Sequence, residues 1–289
     1  MRRIVFFLCF SLTVLLGIFV YQYFSLDDGY VHVIFCNVGQ GDGVLIKEPG
    51  GAYFMLDSGP DERILGCLER NMPFWKRTIS IAFLSHPHND HFVGYLSVLR
   101  RYSVNKFVVE DLSNDTNAYK SLTKLIKNKE IQLQPSILGD VYKTESDVRF
   151  NIVGPSRDFL ESTSPGGKIG ESAEFANLII HFQYKNFDLL FTGDSQILGL
   201  SEALGYMKNG SIDVMHVPHH GSRFGLSESV VEEIRPKAAV ISVGKNNYGH
   251  PSSEILNLLK KSNVRYFRTD QYGDIEIVSN GEKFWIKTQ

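Results

Sequence analysis

Cysteine is scarce, with three residues in a chain of 289. Cys9 falls in an apolar N-terminal run, and Cys36 and Cys67 lack the paired spacing of a cysteine-zinc cluster, which excludes a module of that kind. Spacing does not decide whether Cys36, in a strand-like run, and Cys67, in a helical one, are bridged; the expectation is two buried thiols. Net charge is also nearly absent, at -2, so the chain has no global basic field. Any nucleic-acid attraction must come from local groups such as Lys76-Arg77, Arg100-Arg101 or Lys124, Lys127 and Lys129. No repeat at solenoid periods and no Pro- or Ser-rich linker divides the chain after residue 30. Ordinary apolar and charged fractions exclude disorder.

What is present begins with Met1-Arg2-Arg3, followed from Ile4 to Phe24 by a run with no acidic or basic side chain. At ~1.5 Å rise per residue, that run crosses a ~30 Å hydrocarbon layer. No small-residue cleavage pattern precedes Asp27, and Tyr21, Tyr23 and Phe24 read as an interfacial belt. The expectation is a single-pass cell-membrane anchor with its N-terminus cytoplasmic and the rest extracytoplasmic. Residues 1–29 form the anchor and a short linker; residues 30–289 form one domain.

From Tyr30 onward, β-rich runs alternate with helical ones. Tyr30 to Val38, Val44 to Lys47 and Ala52 to Leu56 open as a meander, and Ile79 to Leu84, Val104 to Glu110 and Phe150 to Val153 follow. Asn177 to Phe182 and Phe187 to Phe191 form a hairpin; Asp213 to Val217, Ala238 to Val243, Arg265 to Thr269 and Asp274 to Val278 complete the strands. Helical spacing marks Ile64 to Arg70, His91 to Tyr102, Tyr119 to Lys129, Gln196 to Met207, Ser227 to Ile234 and Ser252 to Ser262. This mixture predicts an α/β fold of layered sheets with exterior helices. The Ser- and Gly-rich stretch from Ser156 to Glu174 is expected to be a mobile loop at the active site.

Chemistry concentrates at strand ends. Ser85-His86-Pro87-His88-Asn89-Asp90-His91 places three imidazoles and a carboxylate in six residues, the N and O donors that a divalent cation such as zinc prefers. Asp194, in Thr192-Gly193-Asp194, is an ordinary turn residue taken alone, but beside the histidine cluster it becomes a carboxylate able to bridge two metals. Of His219 and His220, one completes the second metal, and the other stands by the open position to hydrogen-bond an anion or donate a proton. His250 is a further residue for the substrate side, whereas His32, His181 and His216 lie within strands and are assigned structural roles.

These elements together resemble the metallo-β-lactamase superfamily, and more closely its ComEC type, the extracytoplasmic domain of competence proteins. The matching stretches run in order through residues 30 to 278: Asn37 to Asp42, Leu56 to Gly59, Ser85 to His91, Phe191 to Asp194, Val217 to Ser222, Ile241 to Gly244 with Asn247 to Pro251, and Arg268 to Asp270 with Gly273. The resemblance implies an αββα sandwich holding two divalent ions, Zn or Mn. His86, His88 and Asp194 would hold one ion, and Asp90, His91, Asp194 and His220 the other. Asp57 would orient a ligand imidazole from behind.

Two departures stand out. Asn37 replaces an Asp usual in the family, which predicts weaker metal binding if that carboxylate orients ligands. No histidine between the HxHxDH and TGD elements supplies a third ligand to the first metal; Asn177 is the stand-in. The implied chemistry is phosphodiester hydrolysis by a two-metal-activated hydroxide, with Asp90 and His219 as catalytic residues and DNA among the substrates. Lys245 and Arg223 are left outside that set. A single span offers DNA no path through a bilayer, which keeps a small or cell-surface phosphocholine-type ester as the alternative enzyme reading. β-Lactam or lactone hydrolysis ranks lower, and a non-catalytic membrane-tethered binding subunit with structural metals is the reading from another class.

Overall fold

The computed structural model describes residues 2–25, 28–169, 176–207 and 212–288. Its strands are β1 (Val31–Phe35), β2 (Gly43–Lys47), β3 (Tyr53–Ser58), β4 (Thr78–Leu84), β5 (Ser103–Val109), β6 (Gln132–Pro135), β7 (Val141–Lys143), β8 (Val148–Gly154), β9 (Ile179–Tyr184), β10 (Phe187–Phe191), β11 (Val214–His216), β12 (Ala238–Ile241), β13 (Arg265–Arg268), β14 (Ile275–Ser279) and β15 (Phe284–Thr288). Its helices are α1 (Arg2–Ser25), α2 (Arg63–Asn71), α3 (Asn89–Phe92), α4 (Gly94–Arg101), α5 (Asn117–Asn128), α6 (Arg157–Thr163), α7 (Ile197–Tyr206), α8 (Glu228–Ile234), α9 (Ser253–Lys261) and α10 (Thr269–Tyr272).

Two sheets stack face to face. One has the order β15-β14-β1-β2-β3-β4-β5-β6, the other β13-β12-β11-β10-β9-β8-β7. Alternation along each strand sends one set of side chains between the sheets and the other outward. In β4, Phe83 joins Phe35, Phe54, Phe150, Phe182 and Phe191 in the layer between the sheets. Its neighbours Ala82 and Leu84 face outward, where α2, α4 and α5 cover them with Leu68, Val98 and Leu122. On the second sheet, Leu190, Met215 and Ile241 face outward beneath Leu200, Val230 and Leu259 of α7, α8 and α9. The result is the αββα sandwich, preceded by α1, which is long and apolar enough to cross a membrane and is not buried by the rest of the chain.

Several expectations needed correction. The helix expected over His91 to Tyr102 is two helices, α3 and α4, that meet at Val93. The stretch from Ser156 to Glu174 is not a loop throughout: Ser156 caps α6 by accepting from the Phe159 amide at 3.0 Å. Residues 170–174 of that stretch lie outside the described residues. Three short strands went unread: β6, β7 and β15, where polar residues alternate too weakly with apolar ones.

Cys36 and Cys67 are not two thiols but a disulfide, with Cα atoms 5.7 Å apart. Both side chains belong to the outward-facing core of the first sheet, so the packing of α2 on the end of β1 brings them together. The unfolded, unreduced chain is expected to expose one thiol, that of Cys9, and three after reduction. Cys67→Ala should lower the unfolding free energy by about 2–4 kcal/mol in chemical denaturation, the range typical of a native bridge. Three reactive thiols without reductant would show that the bridge does not form.

Candidate metal centre

The functional residues sit where strands of both sheets end. In the first sheet, β1 leads into the 36–42 turn, β3 ends at Asp57 and Ser58, and β4 runs into His86–His91. In the second, β10, β11 and β12 are parallel and lead into Asp194, His219-His220 and Ser242. The turns are tight. Gly41, at φ 140°, lets the Asp42 amide approach the Asp90 carbonyl at 3.2 Å, where a Cβ would strike that carbonyl. Gly193, at φ 48°, clears the Asn177 side chain in the same way. Asp57, His219 and His220 themselves hold left-handed backbone conformations, which cost L-residues on the order of 1–2 kcal/mol each. Strain of this kind persists only where surrounding bonds impose it, and it concentrates at functional sites.

The two oxygens of Asp194 divide the centre. Oδ1 lies 3.3 Å from His91 Nε2 and 3.5 Å from His220 Nε2. Oδ2 lies 3.8 Å from His86 Nε2 and 3.7 Å from His219 Nε2. Asp90 completes the first set, its Oδ2 3.4 Å from His220 Nε2; His88 completes the second, its Nδ1 2.9 Å from His86 Nε2. Thus Asp90, His91, Asp194 and His220 form one group of converging donors, and His86, His88 and Asp194 another.

Hydrogen bonds behind the rings leave their Nε2 atoms as lone-pair donors. His91 Nδ1 donates to Asp57 Oδ2 at 2.9 Å, and His220 Nδ1 to the Ser242 carbonyl at 2.9 Å. Ser85 Oγ donates to Asp57 Oδ2 at 2.6 Å and accepts from His86 Nδ1 at 3.1 Å. Asp57 Oδ1 also receives the Ser85 amide at 2.8 Å, so one buried carboxylate orients both rings. Asn177 is committed to the backbone: its amide donates to Leu178 O and Thr192 O and its Oδ1 accepts from the Asp194 amide. It therefore braces the turn that presents Asp194.

The donor set fits divalent cations. His91 Nε2, His220 Nε2 and Asp194 Oδ1 are buried, converge on one another and make no hydrogen bond, and leaving such groups uncompensated is costly. Asp42, Asp57, Asp90 and Asp194 bring four carboxylates together, and among the described residues no Lys or Arg pairs with them. Positive charge is drawn in accordingly. Burial disfavours charge on His91 and His220, yet Asp194 with Asp57 beside the one and Asp42 beside the other raises both pKa values well above the usual imidazole range. Burial would raise Asp90, but the His91 charge and the facing His220 ring, 3.4 Å away, hold it down at about 2. His86 moves the other way, lowered by burial and by repulsion from His91.

Asp42 was missed as a site residue. It is buried, with Oδ1 3.3 Å from His220 Nδ1 and 3.4 Å from His216 Nε2, and Oδ2 3.9 Å from His91 Nδ1. The sequence signal lay in the same turn, but attention went to Asn37. The Asn37 side chain is exposed and merely accepts from the Gly39 amide, so its missing charge bears on no imidazole. His216, assigned a structural role, sits beneath the centre with Nε2 3.0 Å from Ser242 Oγ.

Above the donors opens a cleft of about 370 Å³ lined by Gln40, Asn114, His219, Tyr248 and His250 together with donors of both groups. The His219 and His250 rings lie 5.5 Å apart. Burial and repulsion from His219 and His220 lower His250 to about 4. Among the described residues no Lys or Arg lines this cleft; Lys245 and Arg223 stand outside it. A larger cavity of about 910 Å³, over Asn151, His181 and Asp188 on the outer face of the second sheet, contains none of the donors.

The Metallo-beta-lactamase superfamily model matches residues 36–245. The chain is 25% identical over 288 residues to ComE operon protein 3 of Bacillus subtilis, covering 91% of this chain and 34% of that protein. It is 24% identical over 246 residues to Recombination protein 2 of Haemophilus influenzae, covering 83% and 28%. It thus spans about a third of the length of these relatives. The crystal structure of the metallo-beta-lactamase fold protein YhfI from Bacillus subtilis aligns with TM-score 0.56 at 11% identity, covering 89% of this chain and 100% of that one.

Calorimetric titration with zinc or manganese is expected to find no site of either kind intact in Asp194→Ala, whose lost carboxylate serves both groups. Asp42→Asn should keep the fold by circular dichroism but weaken metal affinity by about 10–100-fold, as loss of a ligand-orienting partner does. Wild-type affinity in that variant would remove Asp42 from the centre.

Proposed function

The chain belongs to the metallo-beta-lactamase superfamily, and from that premise we propose that it is a metal-dependent hydrolase of phosphodiesters. One observation carries the reading: two donor groups share the Asp194 carboxylate beneath an open cleft. Asp90, His91, Asp194 and His220 would hold one divalent ion, zinc or manganese, and His86, His88 and Asp194 the other. Bound there, the ions would acidify the attacking water and neutralise charge on the phosphoryl oxygens. Asp90, about one-third exposed and facing the cleft, orients that water through its free oxygen. His219 stands on the other side of Asp194, placed to hydrogen-bond a phosphoryl oxygen or to protonate the departing alkoxide. His250 backs His219 and lines the substrate side.

The cleft walls favour a compact diester or a chain end over a polymer gripped along its backbone, because among the described residues they offer imidazole and amide groups and no Lys or Arg. The basic groups at Lys76-Arg77, Arg100-Arg101 and Lys124 to Lys129 precede β4, β5 and β6, whereas the donors His86 to His91 follow β4 at the opposite end of this sheet. They supply no track into the site. DNA remains a substrate to assay, in keeping with the name of the Haemophilus relative, Recombination protein 2.

α1 and the disulfide support a reading of the chain's placement. Residues 1–29 act as anchor and linker and residues 30–289 as one catalytic body, to which β14 and β15 contribute the edge of the first sheet. With Arg2 and Arg3 ahead of the span, the body lies outside the cytoplasm. The Cys36–Cys67 bridge suits that oxidising side.

The full chain in detergent, loaded with zinc or manganese, is expected to hydrolyse a bis-aryl phosphodiester, and Asp90→Ala should lose at least about a hundredfold in turnover. Single-stranded and duplex DNA assayed alongside separate nuclease from small-diester enzyme. Unchanged turnover in Asp90→Ala, or full metal loading with no diester cleaved, would reject the proposal.

A further inference from the structure

The strands of the first sheet give the domain a direction. β3, β4, β5 and β6 are parallel, and β1 runs the same way because β2 is antiparallel to both β1 and β3. Every donor of this sheet therefore lies at one end, after the strands. The connections that precede the strands lie at the other, and they have a composition of their own. Phe74 and Trp75 occupy the turn into β4, with Phe74 72% exposed and its ring edge-on to Trp75 at 4.8 Å. Lys76 and Arg77 follow in the same turn, Arg100 and Arg101 precede β5, and Lys129 precedes β6, all exposed. Tyr30, ahead of β1, meets Trp285 of β15 at 6.0 Å, and both are exposed. The two tryptophans of the chain thus stand at the same end.

This end also adjoins α1. The Phe19 ring lies 5.1 Å from Trp75. Phe19 is near the close of the apolar stretch Arg3–Val20, so Trp75 stands level with the end of the segment able to fill the hydrocarbon layer. Tryptophan and tyrosine favour that depth, and neighbouring Lys and Arg favour anionic headgroups. Some of these cations have partners: Arg101 pairs with Glu69 at 3.0 Å, and Lys76 Nζ donates to Gly51 O at 2.9 Å. Both remain exposed, and Asp28, Glu69, Glu130 and Glu282 are acidic neighbours at this end.

We infer that this end is a lipid-docking surface: Phe74 and Trp75 enter the interface of the membrane that α1 crosses, and the basic residues around them contact anionic headgroups. The inference rests on α1 being a membrane span. Its consequence is orientation. The seven residues of β4 separate the docked end from the donors by ~20 Å, at ~3.3 Å per residue. The cleft opens away from the bilayer and takes its substrate from the aqueous side, not from the lipid.

The test uses the full chain in vesicles of phosphatidylcholine and phosphatidylglycerol carrying bromine either near the headgroup or deep in the acyl chain. Trp285→Phe leaves Trp75 as the single tryptophan. Its emission is expected to be blue-shifted, quenched more by shallow than by deep bromine, and protected from aqueous iodide. Arg100→Glu together with Lys76→Glu should reduce that quenching severalfold. Alkaline carbonate extraction separates the two ways of failing. A chain released by carbonate is not anchored by α1, and the premise falls. A chain that stays with the vesicles while Trp75 is open to iodide and insensitive to bromine overturns the docking inference alone.

Discussion

Charge compensation in a buried space governs this molecule. Four aspartates and six imidazoles, those of His86, His88, His91, His216, His219 and His220, meet where two sheets end, and Asp194 faces both halves of the cluster with separate oxygens. Burial alone would push protons onto the carboxylates. Instead Asp42 and Asp194 are held well below the usual carboxylate range, because His216 and His220 surround the one and His91 and His220 the other. Such a cluster is stable only with cationic partners in place, and the tight turns at Gly41 and Gly193 and the left-handed residues exist to hold them there.

The same constraint explains why the rings point as they do. His91, His220 and His86 each spend Nδ1 on a fixed acceptor, which turns Nε2 inward. Asp57 serves two of them through one oxygen and Ser85. The scaffold contributes little other than direction: parallel strands of both sheets deliver their following loops to one edge, as open α/β sheets do.

Much of this was legible in the sequence, and the parts that were not have physical reasons. Dense motifs on strand ends, His86 to His91 and His219-His220, declare themselves because so many donors in so few residues have no structural explanation. The strong strands and amphipathic helices were visible through their periodicity. Asp42 was not, since a lone carboxylate in a Gly-rich turn looks like any turn residue until the fold packs His216 and His220 against it. The Cys36–Cys67 bridge was hidden for the same reason, as it depends on how α2 docks. Of the edge strands, β7 buries one side chain and β15 only half-buries two, so their pattern never rises above that of a loop. What the sequence could not show of Asn177 is that its side chain is bonded to the backbone of the turn presenting Asp194.

The order of the strands in the first sheet also sets how the chain must mature. β1 is flanked by β14, made some 240 residues later, so this sheet keeps an open edge and an uncovered inner face until nearly the whole chain has been synthesised. Pairings of such long sequence separation close slowly. Until they close, His91 and Asp194 belong to separate, undocked layers. A divalent ion that binds only the docked pair would then act as a latch on the last step of folding, adding its binding free energy to the aliphatic and aromatic packing between the halves.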